Sequence, residues 1–128
     1  MTTLRLFILL GSIQALLGVL LGAFGAHALR HRLDAPMLEI WHTAVQYHLV
    51  HALGLLAIAL AAGHWPESDI LRRAGWSLFA GILLFSGSLY LLALTGMRWL
   101  GAVTPVGGLL FVIGWALLAF AAWRGFPA

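Results

Sequence analysis

The sequence contains no cysteine, and its basic residues are all arginine. Without cysteine there can be no disulfide, thiolate zinc site, iron–sulfur cluster or thiol nucleophile. Charge is scarce as well: charged residues make up 9% of the chain and hydrophobic residues 62%. Soluble domains carry about 25% charged and about 45–50% apolar residues. A soluble chain of 128 residues has too much surface for its volume to hide such an excess. Lipid is the solvent that suits it. The formal charge of +3 raises nucleic acid as a partner. However, the arginines are scattered at the ends of apolar runs and form no basic stripe, so they read as interfacial anchors and topology signals.

Four long apolar runs are present, at about 4–29, 40–62, 74–95 and 100–123. Each is near or above the roughly 20 residues that cross a hydrocarbon core about 30 Å thick. Backbone polar groups in lipid must be bonded internally, and the alternating pattern of a barrel strand is missing, so the runs are helices. The expected architecture is all-α: a single integral membrane domain over 1–128, folded as an antiparallel bundle of four transmembrane helices. Arg5, an apolar run and Ala26-His27-Ala28 mimic a cleavable signal, but the run is longer than the 7–15 residues of a signal core, so it reads as a span.

The breaks between runs carry turn and cap residues. Asp34 has the character of a helix N-cap, with Pro36 in the first turn that follows. The break around Gly96-Met97-Arg98 is so short that helices three and four must be antiparallel neighbours. Trp41, Trp65, Trp76, Trp99 and Trp123 fall near predicted helix ends, as an aromatic belt would place them. Both termini lie on one side with Arg5, Arg72, Arg73 and Arg124. The other side has Arg30, Arg32 and Arg98, which favours cytoplasmic termini by a narrow margin.

Small residues dominate helix one and recur later. Gly18, Gly22 and Gly25 in helix one, Gly87 in helix three, and Gly107 and Gly108 in helix four are the expected close-packing positions. They suit a tightly packed monomeric bundle better than a homo-oligomer face.

Ionisable groups inside a span are costly and therefore candidates for function. They concentrate in helix two, where Thr43, Tyr47, His48 and His51 share one side and His42 and Gln46 another. His51 lies about 16 Å along the axis from Ile40 at 1.5 Å per residue, near mid-membrane. An antiparallel hairpin centred near Asp34 sets His27 opposite His42 and His51 opposite Gly18, with Gln14 one turn further on. Gln14, His27, Thr43, Tyr47, His48 and His51 could then converge, joined by Ser86, Ser88 and Tyr90 of helix three.

Three uses of such a cluster compete. Haem or metal ligation is disfavoured, because only His27 lies outside helix two's cluster within a span, and it sits near the interface. No carboxylate or thiolate shares the depth. A proton or substrate path lined by Tyr47, His48 and His51 would make the protein a small transporter or channel. Yet a bundle without a mid-membrane acid is a poor pump. Interhelical hydrogen bonding is the simplest use. No metal or cofactor is therefore expected. No P-loop or dinucleotide turn is present, and Ser86-Gly87-Ser88 lacks the pattern of a nucleophile elbow. Thr104-Pro105 reads as the N-cap and first position of helix four.

Several strings occur together in order. They are Gly22-Ala23-Phe24-Gly25-Ala26-His27, Trp41 with Thr43 and Tyr47-His48-x-x-His51, Phe85-Ser86-Gly87-Ser88-Leu89-Tyr90, and Thr104-Pro105-x-Gly107-Gly108. This set resembles the YgdD/YwdK family of small bacterial inner-membrane proteins, a domain of unknown function with eukaryotic relatives. The resemblance covers nearly the whole chain and implies a four-helix protein of the inner membrane. It brings no activity, substrate or cofactor. His48 departs from the family pattern, which has Gln there, and Gln suits hydrogen bonding better than metal ligation. His42 and His64 match none of these motifs. The expected function is non-enzymatic: a structural, assembly, lipid-binding or partner-binding protein, in contact with membrane lipids and with a larger membrane complex or a second copy of itself.

Overall fold

A computed structural model describes residues 1–128. Four helices account for the fold: α1 (Thr3–His27), α2 (Ala35–His64), α3 (Asp69–Thr95) and α4 (Leu100–Trp123). Each is long and apolar enough to cross a membrane. There are no strands. α2 has 30 residues and overruns its apolar stretch at both ends. Asp34 caps it, accepting from the Met37 N–H at 2.9 Å, with Pro36 in the first turn. Between α3 and α4, Gly96 takes φ of 71° and its N–H bonds the Leu92 carbonyl at 2.8 Å. The left-handed backbone closes the helix where a side chain would be strained.

Glycines set the helix pairings. A Cβ on Gly11 would lie 2.8 Å from Leu56 Cδ2, one on Gly18 2.6 Å from Leu49 Cδ2, and one on Gly22 3.2 Å from Val45 Cγ1. Rising numbers along α1 meet falling numbers along α2, so the pair is antiparallel. The same holds for α3 and α4. There a Cβ on Gly114 would lie 2.5 Å from Leu78 Cδ2, and Gly107 sits against the backbone of Leu84 and Phe85. The main apolar core gathers Phe7, Leu55, Ile58, Leu78, Ile82 and Phe111, so all four helices contribute.

Two local features depart from the sequence reading. Within α3, Ile82–Ser86 form a π-helical turn, the single-turn widening that helices adopt under local packing demand. It lies where Gly107 meets Phe85. In addition, α4 begins at Leu100, so Pro105 lies inside the helix and Thr104 is not its cap. Pro105 has no N–H to give to the Gly101 carbonyl, a loss that helices in membranes tolerate when neighbours supply other partners.

Candidate functional site

The polar residues of the bundle interior form a chain across three helices. Gln14, His48 and Ser86 are buried. His48 Nε2 lies 2.8 Å from Gln14 Oε1 on α1, and His48 Nδ1 lies 2.9 Å from the Tyr90 hydroxyl on α3. The Gln14 oxygen can only accept, so Nε2 carries the imidazole proton and Nδ1 accepts from Tyr90. Both nitrogens of a neutral histidine are thus used for bonds between helices. The Tyr90 ring packs on Trp41 with centroids 4.6 Å apart. One turn before His48, Ser86 Oγ donates to the Ala44 carbonyl at 2.8 Å, tying the π-turn of α3 to α2.

Ser88 serves a different seam. Its hydroxyl lies 2.6 Å from Thr104 Oγ1 on α4. Only two protons are available for the contacts of this pair. One links the hydroxyls, and the accepting hydroxyl gives the other to a carbonyl of its own helix, Phe85 at 3.0 Å for Ser88 or Leu100 at 3.3 Å for Thr104. Thr104 is therefore a crosslink beside Pro105.

His51 does not join His48. Its Nδ1–H donates to the Tyr47 carbonyl one turn back at 2.7 Å, and its ring stacks on Phe111 of α4 with centroids 3.5 Å apart and 11° between planes. The expectation that it faces Gly18 fails, because Gly18 meets Leu49 and the edge of His48 instead. The actual hairpin register differs by two residues from one centred near Asp34. Two residues turn a helix face by about 200°.

Three other residues expected in the cluster stay outside it. His27 is exposed at the end of α1. Gly25 faces α2, and a residue two further on points about 200° away. Thr43 is half-buried and borders a shallow surface cleft with Glu39, Ile40 and Leu89. Tyr47 is 42% exposed and makes ring contacts with Phe85 and His51, while its hydroxyl bonds nothing in the chain.

Among the expected packing glycines, Gly18, Gly22, Gly25 and Gly107 lie against neighbouring helices, and Gly108 makes ordinary contact with Phe85. Gly87 has nothing within 4 Å of its Cβ position. The π-turn just before it rotates the later residues of α3, so it lines no close approach.

Trp41 does not join the aromatic belt expected of it. It is 1% exposed, its indole N–H donates to the Leu21 carbonyl at 2.9 Å, and its ring fills the space beside Gly25. It belongs to the interior and not to an interfacial belt. The spacing of Gly22 and Gly25 ahead of a tryptophan is the signal that could have revealed it. Trp65, Trp99 and Trp123 are exposed at helix ends, whereas Trp76 is exposed two turns inside α3.

Comparison with known proteins gives the lineage. A family model described as "Protein of unknown function (DUF423)" matches residues 21–108. The matched region contains Gly25 with Trp41, His48 with Tyr90, and Phe85 with Gly107, while Gln14 precedes it. The UPF0382 membrane protein YwdK of Bacillus subtilis is 51% identical over 118 residues, covering 92% of this chain and 96% of that protein. The UPF0382 membrane protein SSP2132 of Staphylococcus saprophyticus is 47% identical over 120 residues, covering 94% of this chain and 98% of that protein. A UPF0382 membrane protein of Staphylococcus epidermidis is 50% identical over 117 residues, covering 91% and 94%. No solved structure matches. The chain belongs to the DUF423 family of membrane proteins.

Proposed function

We propose that this protein is a non-enzymatic component of the bacterial inner membrane, with both termini in the cytoplasm, that acts by binding other membrane components: lipid or protein. One observation carries the reading. The buried His48 imidazole closes on Tyr90 and Gln14 of two other helices and uses both ring nitrogens in doing so. Interhelical hydrogen bonds in membranes contribute about 0.6–2 kcal/mol each. A histidine held in this way stabilises a particular bundle and has no free nitrogen to offer a substrate or ion.

The orientation rests on arginine placement. Arg5, Arg72, Arg73 and Arg124 flank the side that holds the termini, against Arg30, Arg32 and Arg98 on the other. A C-terminal reporter that is active only outside the cytoplasm would overturn it. The binding reading is tested by extraction from native membranes into mild detergent. Retention of lipid or of a companion chain through size exclusion is expected. A monodisperse single copy that carries neither would contradict it.

A further inference from the structure

The outer face of α2 carries the bundle's polar anomaly. Its exposed positions include Glu39, His42, Gln46, Val50, Leu53 and Leu60. The side-chain hydrogen bonds of α2 belong to Asp34, Trp41, His48, His51 and His64, and none reaches Glu39, His42 or Gln46. No ion pair engages Glu39. Taking Ala35–His64 as centred in the bilayer, at 1.5 Å per residue, Glu39 lies about 16 Å, His42 about 11 Å and Gln46 about 5 Å from the midplane. The Gln46 amide borders a shallow cleft with Tyr47, Val50 and His51 but bonds none of them, and an unsatisfied polar group in hydrocarbon costs several kcal/mol. The outward positions of α4, among them Leu109, Val112 and Phe120, are apolar, as are Leu16 and Leu20 of α1.

We infer that this stripe is the interface of a parallel homodimer in which α2 packs against α2 of a second copy. This names a partner for the binding function proposed above and rests on that reading. Copies of one chain insert with one orientation, so a two-fold axis along the membrane normal places each residue at the depth of its own equivalent. The stripe is self-complementary under that symmetry. The Gln46 amide has both donor and acceptor, and two such amides facing each other exchange a reciprocal pair of bonds. Glu39 and His42 are one turn apart, so each carboxylate meets the imidazole of the other copy across the axis. Glu39, Gln46, Leu53 and Leu60 recur every seven residues, the spacing of a seam between helices that cross at a shallow left-handed angle. Lipid chains offer no partner for the amide, whereas a second copy supplies all three groups at matching depth.

The absence of native cysteine makes the test clean. Single variants Gln46→Cys and Leu53→Cys on the seam, and Leu16→Cys and Leu109→Cys on the outward faces of α1 and α4, are oxidised in native membranes. Homodimer bands are expected at positions 46 and 53 and not at 16 and 109. Since Gln46→Cys removes the amide, Leu53→Cys carries the second measurement. Adding Gln46→Leu to it should lower the homodimer yield about tenfold or more, the equivalent of two interhelical bonds, and Gln46→Asn should largely restore it. Absence of dimer at both 46 and 53, equal yield at all four positions, or no effect of Gln46→Leu would each overturn the interface. Crosslinks from position 46 exclusively to a different membrane protein would overturn self-pairing while leaving the binding reading standing.

Discussion

The indole of Trp41 occupies the space that Gly25 leaves by having no side chain, and its N–H bonds the Leu21 carbonyl of the same helix at 2.9 Å. A methyl group at Gly25 would run into the buried indole. Gly25→Ala should therefore destabilise the bundle by about 1–3 kcal/mol, as overpacking of a filled core does. Trp41→Phe should cost a similar amount through the lost bond and a cavity. Trp99→Phe and Trp123→Phe, both at exposed positions, should stay within about 0.5 kcal/mol. Denaturation by titrated SDS in bicelles measures all four.

Gly107 and Gly87 make a sharper contrast. Gly107 lies against Phe85 backbone atoms, which cannot swing aside as a flexible side chain would. Gly107→Ala should cost about 1–3 kcal/mol. Gly87 has open space around it, so Gly87→Ala should be neutral or stabilising by up to about 1 kcal/mol, through helix propensity. The same unfolding titration distinguishes them, and an equal loss at both sites would refute the assigned packing.

Ser86 fixes the π-turn of α3 to α2 through the Ala44 carbonyl. Ser86→Ala should lower stability by about 0.6–2 kcal/mol. It should also raise amide exchange in Ile82–Ser86 more than in the rest of α3, read by hydrogen exchange in nanodiscs. Exchange unchanged in that turn would show that the bond does not hold it.

Hydropathy and helix periodicity made much of this legible. The four spans, the Asp34 cap and the antiparallel hairpins follow from run length, turn chemistry and short connections. The meeting of Gln14, His48 and Tyr90 was legible too, because a polar side chain in a span needs a partner. What stayed hidden depends on register to within a residue or two. His51 was set against Gly18, and a two-residue difference in the α1–α2 register turns it to Phe111 instead. Gly87 carries the same chemistry as Gly107, and the π-turn before it, invisible to periodicity, takes it out of the packing. Thr104-Pro105 looked like a helix start because proline in the interior of a soluble helix is destabilising. In α4 the proline follows a complete first turn, and Thr104 crosslinks to Ser88. Trp41 looked interfacial because depth along a helix can be read from sequence while the direction of one face cannot. The shared side of His42 and Gln46 was visible as a face in the sequence. Only the packed bundle shows that no other helix covers it.

The buried polar groups of α2 tie the helices to one another, and the bond between His48 Nε2 and Gln14 Oε1 at 2.8 Å is the clearest instance. A double-mutant cycle with Gln14→Ala, His48→Ala and the double variant measures it directly by reversible unfolding in bicelles. A coupling of about 0.6–1.7 kcal/mol is expected, the range for hydrogen bonds between membrane helices. Additive losses, with coupling indistinguishable from zero, would contradict it.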